Sequence, residues 1–196
     1  MKKLYVFDLD GVLINSKENM RKSWESVQDK FDIDNEFEEY FSLIGRPFQD
    51  ILTLMGITEN QESIKMIYDN TSLVNLNEVE IYDGVVETLN KIKDMGAQTA
   101  IVTSKSWERT EKVLMRLPIF DYVGCPNKKF RGKPAPDHLL SAMAFCNVDV
   151  KDTCYIGDME PDYECAQRAG VDFIFAEYGY GDIECKNKIT SIKSLV

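Results

Sequence analysis

The sequence predicts an α/β protein, a doubly wound parallel sheet of Rossmann type carrying a small helical domain. Three short apolar runs, Leu4–Phe7, Thr99–Val102 and Cys154–Ile156, are too short for helices and rich in β-formers, as buried parallel strands are. Amphipathic helical patterns separate them, and that alternation is the signature of a sheet covered on both faces. Between residues 15 and 80 the alternation breaks, and only helical stripes remain.

In chain order, Leu4–Phe7 is the first strand and ends at Asp8. The 15–80 stretch places Met20, Trp24, Val27 and Phe31 on one stripe and Ile64, Ile67 and Tyr68 on another. It is read as a separate cap domain, 15–80, inserted in a core made of 1–14 and 81–196. Val85, Val86, Leu89, Ile92 and Met95 then recur at helical spacing and stop at Gly96, a left-handed C-cap position. Thr99–Val102 runs into Thr103 and Ser104. Helices are expected over 106–117, 136–146 and 162–169, the last closed by Gly170. Cys154–Ile156 runs into Gly157 and Asp158. Val171–Ala176 is a further strand whose following Glu177-Tyr178-Gly179-Tyr180-Gly181 turn is assigned to architecture.

Composition narrows the function. With 33 acids against 23 bases the 196-residue chain carries a formal charge of −10, the wrong sign for a surface that neutralises nucleic-acid phosphates. Most of that excess falls in 15–80. No apolar run is long enough to span a bilayer, and no export signal is apparent, so neither a membrane nor a nucleic-acid partner is expected. Five cysteines with no C-x-x-C pair suit free thiols in a cytoplasmic setting. The single histidine, His138, argues against structural zinc and is expected at the surface of a helix start.

Phe7-Asp8-Leu9-Asp10-Gly11 puts two carboxylates two residues apart at a strand end, beside a glycine that lets backbone approach a ligand. Such a pair can hold Mg²⁺ and present a nucleophile. A plain turn is the bland alternative, and a calcium loop is disfavoured because Val12, Leu13 and Ile14 follow. Further along come Ile101-Val102-Thr103-Ser104, Gly132-Lys133-Pro134 and Gly157-Asp158-Met159-Glu160-Pro161-Asp162.

In this order and spacing the chain resembles the haloacid dehalogenase superfamily, with all four of its motifs matched across nearly the whole core. The 15–80 insertion then looks like a type 1 cap, as in phosphoglycolate phosphatase and β-phosphoglucomutase relatives. The resemblance implies an Mg²⁺-dependent phosphatase acting on a small phosphorylated metabolite. Asp8 would be the nucleophile that forms an aspartyl phosphate. Asp10 would be the general acid, then the base for water, and would lend its backbone carbonyl to the metal. Thr103 and Lys133 would cradle the transferring group. Asp8 and Asp158 would ligate Mg²⁺ directly, with Asp162 either ligating or holding the metal's water shell.

Other residues keep two readings at this stage. Ser104 and Lys105 could add donors to the substrate phosphate. Arg46, on the Gly45-Arg46-Pro47 turn of the cap, is either a planar fork for a carboxylate or second phosphate on the substrate or a surface salt-bridge partner of Asp50 or a nearby glutamate. Trp24, Phe41 and Phe48 are expected in the cap core rather than as substrate walls. Two rival functions remain: a sugar phosphomutase of the β-phosphoglucomutase kind, and a non-enzymatic phosphoacceptor switch, which the late position of Asp158 and Asp162 disfavours. The sequence leaves the substrate and the oligomeric state open.

Overall fold

A computed structural model describes all 196 residues. Eight helices and eight strands follow in the order β1 (Leu4–Phe7), β2 (Ile14–Asn15), α1 (Lys17–Phe31), α2 (Phe37–Ser42), α3 (Phe48–Leu54), α4 (Gln61–Val74), β3 (Glu80–Ile81), α5 (Val85–Asp94), β4 (Gln98–Val102), α6 (Trp107–Leu114), β5 (Tyr122–Gly124), α7 (Asp137–Cys146), β6 (Thr153–Gly157), α8 (Glu160–Ala169), β7 (Asp172–Ala176) and β8 (Lys188–Ile189). Six strands form a parallel sheet in the order β5-β4-β1-β6-β7-β8. Central β1 pairs with β4 on one side and β6 on the other, Phe7 standing beside Ile101 and Ile156. The C-terminal ends of these three strands therefore lie side by side, and the residues that follow them share one crevice.

Both faces of the sheet are buried. Tyr5, Phe7, Ile101 and Ile156 pack with Val85, Leu89 and Ile92 of α5 and Val113 of α6, while Leu4, Val6, Val102 and Tyr155 pack with Leu139 and Met143 of α7 and Cys165 of α8. Period-2 alternation sends neighbouring strand residues to opposite clusters. This double burial is why the strands read as continuous apolar runs. A side chain such as Phe7 or Leu89, wholly removed from water, contributes about 1.5–3 kcal/mol of transfer free energy.

Helices α1–α4 hold a third cluster of their own, built on Met20, Trp24, Val27, Tyr40, Ile51, Leu52, Ile64 and Tyr68. Trp24 stacks on Tyr40 at 4.7 Å between centroids and donates its indole N–H to Asn35 O at 2.9 Å. At the two junctions of this stretch, β2 and β3 pair antiparallel, Ile14 opposite Ile81 and Asn15 opposite Glu80. No strand is apparent in the sequence there, because a two-residue strand has no room for alternation to declare itself. Strands β5, of three residues, and β8, of two, are likewise too short for the sequence to show them.

One expectation is overturned: His138 is buried, not at the surface. Its ring meets Phe130 edge-on at 5.3 Å and lies under Gly124, and burial holds its pKa below the ordinary 6.5.

Candidate active site

The loops after β1 and β4, with the loop before α7, bring Asp8, Asp10, Thr103, Ser104, Lys105 and Lys133 to one cavity of about 50 Å³, and the loop after β6 adds Met159. Its other wall comes from the helical stretch, through Tyr40, Ile44, Arg46, Phe48, Ile51 and Tyr68. Phe48 thus packs against the helical cluster and also walls the cavity, whereas Trp24 is wholly internal and Phe41 meets the Tyr180 ring at 5.1 Å.

Asp8, Asp158 and Asp162 are all buried, with carboxylate oxygens within 4.8 Å of one another. Lys133 Nζ is the single ammonium paired with this group, 2.9 Å from Asp8 Oδ1 and 2.6 Å from Asp162 Oδ1. Burial is the main reason the Asp8 carboxyl is pushed up to about 7; Lys133 opposes the shift, while the charges of Asp162 and Asp10 add to it. Burial likewise lifts Asp158 well above the ordinary carboxylate range, reinforced by Asp162 and Asp8. Three negative charges held against one positive charge make a site suited to a further cation.

The three carboxylates are not equivalent. Asp162 accepts from Lys133, from the Tyr155 hydroxyl at 2.9 Å, from Met159 N at 3.1 Å and from Asp158 N at 3.3 Å. Its oxygens are thus engaged within the chain, which separates it from Asp8 and Asp158. Asp158 accepts the Tyr180 N–H at 2.8 Å through Oδ2, while its Oδ1 is buried with no hydrogen-bond partner. An orphaned hard oxygen beside Asp8 fits a metal such as Mg²⁺. The Gly11 backbone, at φ 80°, passes so close that any Cβ there would fall inside the Asp158 carboxylate.

Asp10 is held apart from this cluster. The Ser16 hydroxyl donates to its Oδ1, and Lys105 Nζ lies 3.1 Å from the same oxygen. Lys105 is buried, and burial draws its pKa below the usual lysine value. Thr103 Oγ1 accepts the Lys105 N–H at 3.2 Å, and Thr103 N donates to Gly124 O of β5 at 3.0 Å, which fixes the strand end. Ser104 spends its hydroxyl proton on Gly45 O, at 2.6 Å, so it ties the core to the Gly45-Arg46-Pro47 turn rather than offering a free donor. Arg46 lines the cavity, donates only to Leu43 O at 3.4 Å, and makes no ion pair with Asp50.

Three neighbours escape sequence reading. Tyr180, in the turn assigned to architecture, accepts the Ser16 N–H at 2.7 Å through its hydroxyl and donates its own N–H to Asp158. Tyr155 reads as a strand residue, which it is, while its hydroxyl reaches Asp162. Arg109 reads as an ordinary charge on α6, yet it is buried and lines the cavity. The only signal for it is its place in the first turn of the helix after Thr103.

A family described as haloacid dehalogenase-like hydrolase matches residues 5–176. The chain is 29% identical over 199 residues to a phosphoglycolate phosphatase of Pasteurella multocida, covering 91% of this chain and 87% of that protein. It is 27% identical over 170 residues to the pyrophosphatase PpaX of Bacillus mycoides, covering 84% and 79%. The fold superposes on a hydrolase from Pseudomonas syringae with a TM-score of 0.90 at 21% identity, covering 99% and 96% of the two chains. The chain belongs to the haloacid dehalogenase-like hydrolases. It is an enzyme of their phosphatase type.

Proposed function

We propose that this enzyme hydrolyses a small phosphomonoester with Mg²⁺, through an aspartyl phosphate on Asp8. The observation that carries the reading is that Asp8 and Asp10 line the same cavity with separate partners, Asp8 paired to Lys133 and Asp10 to Ser16 and Lys105. Two carboxylates in different surroundings are suited to different tasks.

An Asp8 oxygen attacks phosphorus, and the bond from phosphorus to the leaving oxygen breaks while Asp10 gives that oxygen a proton. Asp10 then takes a proton from water, whose oxygen attacks phosphorus and frees Asp8 and inorganic phosphate. Lys133 and Thr103 hold the charge that develops on the equatorial oxygens. Asp8 and Asp158 would hold Mg²⁺, joined by the Asp10 carbonyl, while Asp162 keeps Lys133 and the Asp158 backbone in place. When bound, the ion keeps the clustered carboxylates ionised and withdraws charge from the phosphoryl group.

Residues 15–80 act as a cap over the core formed by 1–14 and 81–196. Their wall of Tyr40, Phe48 and Tyr68 leaves room for a small leaving group only, which favours a small phosphorylated metabolite. Arg46 approaches from the same side and is assigned to substrate choice. Five unpaired cysteines support a reducing, cytoplasmic setting, and no helix is long and apolar enough to cross a membrane.

The test is inorganic phosphate release from small esters and pyrophosphate, with Mg²⁺ and with EDTA, for wild type and Asp8→Asn. Release that needs both Mg²⁺ and Asp8 supports the reading. Absence of release from every compound, with Asp8 still phosphorylated, would turn it toward a mutase or phosphoacceptor.

A further inference from the structure

The guanidinium of Arg109 is the buried charge that the proposed chemistry leaves unused. It is 93% removed from solvent, lines the catalytic cavity, and lies 5.3 Å from the Tyr68 ring centroid. Its Nε is committed, donating to Ser106 Oγ at 3.2 Å and lying 3.0 Å from Asp69 Oδ1 on α4. Neither Nη group has a hydrogen-bond partner in the chain. A guanidinium carries five donors in a fixed plane, so four of the five are unspent at the cavity wall.

Charge is also unbalanced there. Asp69 is shared with Lys65, whose Nζ is 2.5 Å from its other oxygen, so it neutralises only one of two cations. Lys105 is matched by Asp10, and Arg46 has no carboxylate partner. Among the residues that line the cavity, the four cations Arg46, Lys105, Arg109 and Lys133 face the two carboxylates Asp8 and Asp10. Surplus positive charge beside unspent planar donors is complementary to an anion with two or three oxygens.

We infer that Arg109, a core residue, is a specificity-determining group alongside Arg46, and that it takes a second anionic group on the substrate, a carboxylate or a second phosphate within a few bonds of the phosphate that is transferred. The inference deepens the phosphatase reading and rests on it. A cavity of about 50 Å³ keeps the two anionic groups close together. Asp69 arrives on the opposing helical wall and occupies Nε, which orients the guanidinium and leaves its Nη edge for the ligand. A neutral ester of the same size leaves those donors unpaired, and that is the origin of the discrimination.

The test compares kcat/KM for phosphoglycolate and pyrophosphate, each with a second anionic group, against 2-hydroxyethyl phosphate, similar in size and without one. Wild type, Arg109→Gln and Arg109→Lys are measured with Mg²⁺. The expected result is a fall of about 10- to 100-fold in the charged-to-neutral ratio for Arg109→Gln, the range for a lost hydrogen bond to a charged group, with partial recovery in Arg109→Lys. A uniform loss across the three compounds, or an unaltered ratio, overturns the assignment. If wild type releases phosphate from none of them, the phosphatase reading fails and calorimetry decides the subsite. Asp8→Asn protein is then titrated with inorganic phosphate and with pyrophosphate: tighter pyrophosphate binding that Arg109→Gln abolishes supports Arg109, and equal affinities overturn it. Should Arg109→Gln not fold, Arg109→Lys carries both readouts.

Discussion

The ammonium of Lys133 stands 2.9 Å from the carboxylate of Asp8, and both groups are buried. The same ammonium reaches Asp162, so it is the counterion of a cluster that would otherwise be wholly negative. Removing it leaves buried carboxylates without a counterion, at a cost of about 3–5 kcal/mol. Lys133→Ala is accordingly expected to destabilise the metal-free protein by that order in urea denaturation. It should also slow every phosphate substrate about 100-fold or more. A loss confined to one substrate would contradict the general role given to Lys133.

Asp8→Asn separates chemistry from stability. Turnover should fall below about 1% of wild type, the scale expected when a nucleophile is lost. The fold should persist and, in EDTA near neutral pH, become more resistant to heat, because one of three mutually repelling buried carboxylates has been made neutral. Calorimetric melting of both proteins checks this, and a lower Tm for Asp8→Asn would count against the electrostatic account.

The pH dependence of that stability difference has a definite sign. Asp8 titrates near 7 in the folded, metal-free chain and near 3.9 in an unfolded one, so between these values the folded chain binds the extra proton. Stability contributed by Asp8 therefore falls as pH rises through this window, and Asp158 pulls the same way. Buried His138 pulls the opposite way, since its neutral form is favoured. Subtracting Asp8→Asn cancels the histidine. From about pH 5 to pH 7.5 in EDTA, the variant's advantage should grow, and saturating Mg²⁺ should erase the trend. An advantage that stays flat across that range would remove Asp8 as its source.

Gly179 approaches Asp158 so closely that a Cβ would overlap that side chain. Gly179→Ala should displace the Asp158 carboxylate and weaken Mg²⁺ about 10- to 100-fold, the range for damage to groups that orient metal ligands. Titration of phosphate release against Mg²⁺ concentration reads the change. Unaltered Mg²⁺ dependence would show that Asp158 does not need this support.

Tyr180→Phe removes the hydroxyl that accepts the Ser16 N–H, while the Tyr180 N–H to Asp158 remains. The stranded amide should cost about 1–3 kcal/mol. Because the Ser16 hydroxyl holds Asp10, kcat is expected to fall more than KM rises. A variant with the stability loss and an unaltered kcat would restrict Tyr180 to architecture.

Sequence reading places β1 to the residue, since a strand buried on both faces is apolar at every position from Leu4 to Phe7. It places β4 and β6 one residue short at Gln98 and at Thr153 and Gly157, where polar or small residues continue the ladder. Helix α8 begins two residues before the expected Asp162, because Pro161 sits comfortably in a first helical turn. The motif residues Asp8, Asp10, Thr103, Lys133 and Asp158 are legible as strand-end and loop residues, and Asp162 as a residue of the helix start that follows. His138 is misread because a lone polar residue beside a charged one looks exposed, whatever helix and loop later close over it.

What the sequence by itself determined is local: the periodicities that make strands and helices, the turns that stop them, and the reactive residues at strand ends. These depend on neighbours within a few positions, so one chain suffices to read them. What only the tertiary structure decided is pairing at a distance. Lys133 meets Asp8 and Asp162, Tyr180 meets Ser16, and Arg109 meets Asp69, contacts that no periodicity encodes. Burial is settled there too, and burial turns ordinary carboxylates, a lysine and an arginine into groups whose charges must be answered by one another or by a ligand.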